Sequence, residues 1–430
     1  MRKILIGILQ KRAVKIVSRF NPKVVAVTGS MGKTSARNAI ALVLASRFKV
    51  RTAKKNFNNE IGVPLTVLGT DSPGRNIFKW IKIFWHSFFI KEFPEILVLE
   101  YGADRPGDID FLCRLITPNV SVLTGISSVH AQFFDNIDHL AAEKARIIKH
   151  LPKDGTAVLN ADDERVVKMQ SMASASIKYG TCGSCDLCAE NISLATRFDD
   201  NYEVGEIFVK TTADITLKGK TIGELELNNA VGYTPVMASL AALAVGEVFG
   251  VSFTAGLTAL NQAFRPEAGR LNPLPGIKGS LIIDDSYNAA PASMMNGLNA
   301  LRSFAIKNQN GRRIAVLGSM AELGVYNEEE HKKVGRKAAE VADILIFVGE
   351  NMKIAARSAE ESGFLPENIH WFDSSVEAGR FLDRDLRTGD IVYVKGSQSM
   401  RMEKVVKDIM AEPEKAAELL VRQDKKWLKT

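Results

Sequence analysis

The chain has 430 residues, is 46% hydrophobic and 24% charged, and carries a formal net charge of +7. Its length exceeds what one ordinary core organises and predicts two or three domains, while no apolar run reaches the roughly 18–20 residues that cross a bilayer. The first 23 residues hold seven Lys/Arg and no acid, which accounts for the whole excess, so the basicity is local and argues against a nucleic-acid partner.

The N-terminus MRKILIGILQKRAVK has the charge pattern of a signal peptide. Its apolar core is too short, however, and no small-residue cleavage site follows, so the chain is expected in the cytoplasm. Laid on a helix, Lys11, Arg12, Lys15 and Arg19 fall on one side and Leu5, Leu9, Ile16 and Phe20 on the other. Residues 1–23 are therefore read as a basic amphipathic helix. It either packs on its own protein with a wet basic face or lies on the inner, anionic face of a membrane.

The stretch VVAVTGSMGKTSARNAI (24–40) comes next: an apolar strand, a glycine-rich turn, then a helical pattern. The segment Gly29, Ser30, Met31, Gly32, Lys33, Thr34, Ser35 reads as a nucleotide site. Its glycines let backbone N–H groups close around phosphate oxygens, and the following helix N-terminus adds its dipole. Lys33 is placed to reach the terminal phosphates and the Thr34 hydroxyl to ligate Mg²⁺. Only two residues separate the glycines, where the usual phosphate loop has four.

RNIFKWIKIFWHSFFIKEFP (75–94) predicts a helix with Arg75, Lys79, Lys82 and His86 in one narrow stripe and Trp80, Phe84, Trp85 and Phe88 off it. Such a helix either buries its aromatic residues against a sheet or lies in a membrane interface. LVLEYGAD then places Glu100 at the carboxyl end of a presumed parallel strand, where open α/β sheets hold ligands. A carboxylate there is either a Mg²⁺ ligand or an ordinary acid on a solvated rim. GISSVH puts His130 beyond the next strand on the same sheet edge, and Lys144 follows on the helix DHLAAEKARII.

The runs VVAVT, ILVLE, VSVLT and TAVLN are short and continuous, which suits parallel strands covered on both faces. Residues 177–228 alternate instead and predict a small antiparallel section. Within them Cys182, Cys185 and Cys188 form C-x-x-C-x-x-C; a closed metal site needs a fourth ligand and only Cys113 is left, so reduced thiols in a loop are expected. ASLAALAVGEVFG (238–250) reads as a helix ending at Gly250, and FRPEAGRLNPLPG (264–276) as an interdomain linker. The α/β rhythm then restarts. No turn in this second block carries the G-x-G-x-x-G fingerprint, so it is not expected to bind its own dinucleotide. The fold class is α/β: a central P-loop ATPase domain with a mostly parallel sheet plus a small antiparallel section, followed by a Rossmann-like C-terminal domain. The expected boundaries are 1–23 for the basic helix, 24–265 for the central domain and 266–430 for the C-terminal one.

Taken together, TGSMGKTS, Glu100, His130 and Lys144 at these separations resemble the Mur ligases of peptidoglycan synthesis. The resemblance continues through NFNNEIGVPLTVLG, LNADDE, DDSYNAAPASM, LGSMAELG and KGSQSMRMEKVV, nearly the whole chain. It is strongest to the branch that joins D-Ala-D-Ala to a muramoyl tripeptide. The resemblance implies an ATP-driven, ADP-forming amide ligation through an acyl phosphate. It implies that Thr34, Glu100, His130 and Lys144 hold Mg²⁺, two ions in all, with Lys144 open to carbamylation. It implies that Lys33 and Arg270 meet phosphate and that Asp285 and Asn288 contact the nucleotide. Asn58, Asn59, Tyr287, Lys395 and Ser397 are implied to face the substrates, a muramoyl-peptide acceptor and D-Ala-D-Ala, and a monomer is expected.

Three departures accompany the resemblance. Members of this branch begin with a domain that grips a UDP group, and here only the basic helix precedes the phosphate loop. Tyr233, Thr234 and Ala238 stand where relatives show Gly-x-His-Asn-x-x-Asn, so an adenine contact is not expected from those positions. The aromatic segment 75–94 is an insertion. Two rivals stay open. One is another Mur-type amide ligase with a lipid-linked or otherwise non-UDP acceptor, such as a synthetase-like subunit paired with a glutaminase. The other is a non-catalytic ATP-binding scaffold at a membrane surface.

Overall fold

The computed structural model describes residues 2–53, 57–74, 76–127, 134, 136–196, 209–306, 311–424 and 427. His130 and Arg75, both singled out above, lie outside the described residues.

A nine-stranded sheet carries the first half. Its strands are β1 (Lys23–Thr28), β2 (Val50–Thr52), β3 (Ile96–Glu100), β4 (Val120–Leu123), β5 (Thr156–Asn160), β6 (Ala175–Gly180), β7 (Leu187–Thr196), β8 (Val209–Leu217) and β9 (Lys220–Asn228), in the order β2-β3-β1-β4-β5-β6-β7-β8-β9. Strands β1 to β7 pair parallel, and β8 and β9 extend the sheet antiparallel from β7. The expected mixed sheet is present, with one correction. The antiparallel section was read from residue 177, but β6 still runs parallel to β5, because a helical crossover rather than a hairpin joins them.

The parallel strands are buried on both faces, and that is why they read as unbroken apolar runs. Val25 and Val27 point into one core and Val24 and Ala26 into another on the opposite face. The helices that cover those faces are α1 (Arg2–Phe20), α2 (Lys33–Ala45), α3 (Gly62–Leu68), α4 (Ile77–Phe88), α5 (Asp108–Leu115), α6 (Ile137–Lys149), α7 (Glu164–Lys168), α8 (Tyr233–Val248) and α9 (Phe253–Ala263). Helix α8 starts earlier than the sequence suggests and stops two residues before Gly250, which turns the chain at φ +70. It is buried from Pro235 to Gly246, so it shows no wet face from which its start could be read.

The second sheet has strands β10 (Asn272–Pro275), β11 (Leu281–Asp285), β12 (Arg313–Gly318), β13 (Ile344–Val348), β14 (Ile369–Phe372) and β15 (Ile391–Lys395), ordered β10-β11-β15-β12-β13-β14. All pairs are parallel except β10 with β11. Helix α10 (Pro291–Ser303) follows β11. The segment read as a linker is therefore only partly one: its Pro-rich end, Asn272–Pro275, is an edge strand, a position that tolerates the missing N–H of Pro273 and Pro275.

The cysteine expectation is also corrected. Cys185 and Cys188 are joined as a disulfide, while Cys182 and the buried Cys113 are free. Among the described residues no group of three His, Cys, Asp or Glu is arranged to hold a metal ion, and no helix is long and apolar enough to cross a membrane.

Candidate active site

Strand β1 ends at Thr28 in the middle of its sheet, and the chain turns there into the glycine loop. Gly29 has φ +146, and a Cβ at that position would meet the Thr124 hydroxyl at 2.0 Å, so only glycine fits against β4's end. Thr124 in turn donates to the Met31 carbonyl, and Ser30 and residue 127 exchange hydrogen bonds of 3.0 and 3.1 Å. The loop is thus clamped by the neighbouring strand. Helix α2 begins directly behind it, and a helix N-terminus is a ready site for an anion.

Two lysines converge on one carbonyl oxygen. The Lys33 ammonium donates to Gly29 O at 2.9 Å and the Lys144 ammonium donates to the same oxygen at 3.0 Å. Lys144 is buried on α6, and burial together with the charge of Lys33 brings its pKa down to about 7. Lys33 is lowered for the same chief reason, burial, with Glu100 pulling against it.

Glu100 sits one register step from the loop, because Glu100 on β3 pairs with Val27 on β1. Its carboxylate accepts from the Thr34 hydroxyl at 3.0 Å and from the Asn58 amide at 3.2 Å, and Arg37 lies 3.5 Å away. This set of hydroxyl and carboxylate oxygens is hard and anionic, the donor chemistry that suits Mg²⁺. Glu100 is only 2% exposed, which disposes of the solvated-rim reading.

Arg37 was not foreseen. It lies one helical turn after Lys33 on α2, is buried, and bridges Glu100 to Glu267 at 3.3 Å. Glu267 also accepts from Asn38 at 2.6 Å and pairs with Arg270 at 3.4 Å. A chain of alternating charge therefore joins the phosphate loop to the segment entering the second sheet. The spacing Lys33–Arg37, four residues on one helix, was a usable signal; Glu267 offered none, since it meets α2 only in three dimensions.

The opposite wall comes from the second sheet. Gly269, at φ +69, abuts the Tyr287 backbone and lets the chain turn so that Arg270 lies over the Tyr287 ring at 4.4 Å. Asp285, at the end of β11, takes hydrogen bonds from Lys395 at 2.7 Å and from the Tyr393 hydroxyl at 3.1 Å. Burial pushes its carboxyl up while Lys395 pulls it back. Lys395 also donates to the Asn288 carbonyl at 2.9 Å.

Between the two walls lies a cavity of about 430 Å³. From the first half it is lined by the loop from Ser30 to Ser35, with Asn58 and Glu100; from the second by Arg270, Asp285, Tyr287, Asn288 and Lys395. Asp104, Ser293 and Asn296 also line it and were missed, being polar residues without a motif. Other sequence candidates stand apart. Asn59 is exposed and its side chain caps α3 by accepting from the amides of Ile61 and Gly62, at 3.2 and 2.9 Å. The buried Ser397 hydroxyl accepts from the Ala321 amide at 2.7 Å. Gly29 and Lys144 lie behind the loop rather than on the cavity lining. Of the α8 positions, Thr234 lines the cavity, the Tyr233 hydroxyl donates to Asp162 at 2.6 Å, and Ala238 is buried.

The chain is similar to known proteins along most of its length. Residues 27–237 match the Mur ligase middle domain and residues 269–398 the Mur ligase, glutamate ligase domain. Over 407 residues the chain is 29% identical to the UDP-N-acetylmuramoyl-tripeptide–D-alanyl-D-alanine ligase of Bacillus subtilis (strain 168), covering 94% of this chain and 79% of that one. The enzyme of the same name from Escherichia coli (strain K12) is 28% identical, covering 90% and 76%. Among solved structures, a MurF ligase from Thermotoga maritima in complex with ADP superposes with a TM-score of 0.77 at 26% identity, covering 96% of this chain and 85% of that one.

Proposed function

The chain belongs to the Mur ligase family, and on that premise we propose that it is an ATP-dependent, ADP-forming amide ligase joining D-Ala-D-Ala to the terminal carboxylate of a muramoyl tripeptide. One observation carries the reading: the phosphate loop and Glu100 on one sheet face Arg270, Asp285 and Lys395 on the other across a single cavity. An amide ligase of this kind needs both walls. One binds the nucleotide phosphates, and the other closes over the activated carboxylate and keeps water from it.

In this reading Lys33 and the α2 N-terminus hold the β and γ phosphates, and Thr34 and Glu100 hold Mg²⁺, which neutralises phosphate charge. The carboxylate oxygen of the acceptor attacks the γ phosphorus, ADP leaves, and an acyl phosphate forms. The free amine of D-Ala-D-Ala attacks its carbonyl carbon; the tetrahedral intermediate expels phosphate, and the amine gives up its proton. Arg270 stabilises charge on the transferring phosphate. Asp285 and Asn288 orient the nucleotide, and Tyr287 and Lys395 the amine substrate.

Lys144 suits carbamylation. An amine with a pKa near 7 is substantially neutral in the cell, and a neutral amine adds to CO₂, giving a carbamate and a proton. The product puts an anion behind the loop, beside Lys33. His130 is proposed as a further Mg²⁺ ligand on the family resemblance alone.

The test is phosphate release by the purified chain with ATP, Mg²⁺, D-Ala-D-Ala and a UDP-linked muramoyl tripeptide. Release that needs both substrates supports the reading. Tight ATP binding without release on any acceptor favours the scaffold instead. A lipid-linked muramoyl peptide is the alternative acceptor. The same assay with a lipid-linked muramoyl peptide separates the two acceptors.

A further inference from the structure

At about 100° per residue, helix α4 divides into three sectors. Trp80, Ile83, Phe84 and Ser87 turn into the protein. Lys79, Lys82 and His86 form an exposed basic arc. The remaining arc holds Ile77, Phe78, Ile81, Trp85, Phe88 and Phe89, and all six are exposed, Phe78 at 79% and Trp85 at 67%. The sequence reading had Trp85 and Phe88 grouped with Trp80 and Phe84, but Trp80 and Phe84 pack against the core while Trp85 and Phe88 are exposed. A helix on a soluble protein normally turns its polar face to water. Here six exposed side chains are apolar, four of them aromatic.

Helix α1 extends the same face. Arg12, expected on the wet side, donates to the Ser87 hydroxyl and carbonyl of α4 at 3.0 and 2.8 Å and stacks 3.7 Å over the Phe88 ring. One and two turns before Arg12, Ile8 and Ile4 are exposed, and Lys11, Lys15 and Arg19 flank them. Neither helix contains an acidic residue; α1 carries six Lys/Arg and α4 two. Beside the basic arc opens a cavity of about 460 Å³ whose lining includes Lys79, Lys82, His86, Thr70, Asp71 and Ser72.

We propose that the joined face of α1 and α4 docks on an anionic phospholipid bilayer, aromatic arc in the acyl boundary and basic arcs among the headgroups. Charge complementarity selects this occupant. A cover made by a second copy or another protein needs only the apolar arc, whereas here cations border the apolar residues on both helices, and neither helix carries a carboxylate. Protruding Trp and Phe with Lys at their margin is the composition of an interfacial helix. Monomeric soluble proteins rarely leave so large a contiguous apolar patch in water. The surface lies outside the catalytic cavity, and the proposal stands whether or not the ligase reading does.

The test is sedimentation of the full chain, without substrates, with phosphatidylglycerol–phosphatidylcholine vesicles and with pure phosphatidylcholine vesicles at several salt concentrations. We expect binding to the anionic vesicles, weakened at least about tenfold by high salt or by loss of the anionic lipid, with a blue shift of tryptophan emission. Phe78→Ser/Trp85→Ser, at positions too exposed to matter for folding, should lower the affinity at least about tenfold while the melting temperature is unchanged. Lys79→Glu/Lys82→Glu should remove the preference for anionic lipid. Failure of the wild type to bind anionic vesicles overturns the proposal, as does unchanged binding by the aromatic double variant. A lipid-independent dimer that this variant dissociates, with no vesicle binding, assigns the patch to a second copy and overturns it too.

Discussion

Lys33 and Lys144, 111 positions apart in the chain, donate to the same backbone oxygen, that of Gly29. Both amines are buried, and burial together with the charge of Lys33 disfavours a charged Lys144 beside the loop. An anionic ligand, or a carbamate on Lys144, resolves this.

A stability change follows from the Lys144 amine. Its folded pKa of about 7 lies below the usual lysine value of 10.5, so between those limits the unfolded chain binds more protons and stability rises with pH. Below pH 7 the full cost of the buried charge is present. Lys144→Met should therefore raise stability at pH 6 by on the order of 2 kcal/mol and give progressively less up to pH 10, read from denaturant unfolding at each pH. If carbamylation occurs, the wild-type chain in ¹³C-bicarbonate should show a carbamate carbon resonance that Lys144→Arg lacks.

Removing Lys33 should abolish ligation. Lys33→Ala is expected to lower kcat/KM by about 10³ or more, since in the proposed reading it removes a charge that meets the transferring phosphate. Its fold should survive, because Lys33 makes only local bonds to the loop carbonyls. Circular dichroism beside the phosphate-release assay distinguishes the two effects.

Glu100 and Arg37 should part company in mutagenesis. Glu100→Gln keeps the side chain's shape and one acceptor oxygen but removes the charge, so Mg²⁺ dependence should move to higher concentration, by about tenfold or more. Arg37→Met leaves Glu100 buried without its cation and should cost about 3–5 kcal/mol of stability. Equilibrium unfolding of both variants checks the contrast.

Arg270 reaches the cavity only because the second sheet presents it there. Arg270→Ala should reduce kcat by about 10² while ATP affinity, measured by calorimetry, changes much less. A loss of ATP binding equal to the loss of rate would place Arg270 in ground-state binding instead.

The two free thiols should react differently. Burial, helped by Asp110 and Glu143, pushes the Cys113 thiol up to about 12, whereas Cys182 is partly exposed. A thiol reagent at pH 8 should label Cys182 in the native protein and Cys113 only on unfolding, as peptide mapping would show.

The loop between Gly29 and Ser35, the strand-end Glu100 and the parallel sheet were legible in the sequence because their signals are local. A doubly covered strand must be apolar throughout, a phosphate turn must have glycine where a Cβ would collide, and a crossover must contain a helix. The start of α8 was not legible, since a helix buried on all sides has no periodicity. Arg12 misled for the opposite reason: its wheel position is polar, yet α4 supplies the partner that takes it out of water.

What only the tertiary structure decided is which residues share a charge environment or an exposure. Glu267 joins Arg37 to Arg270, the fall of the Lys144 pKa depends on Lys33, and Trp85 and Trp80 on one helix meet different surroundings. Desolvation and Coulomb energies depend on distances in space, and a sequence fixes those only through its fold.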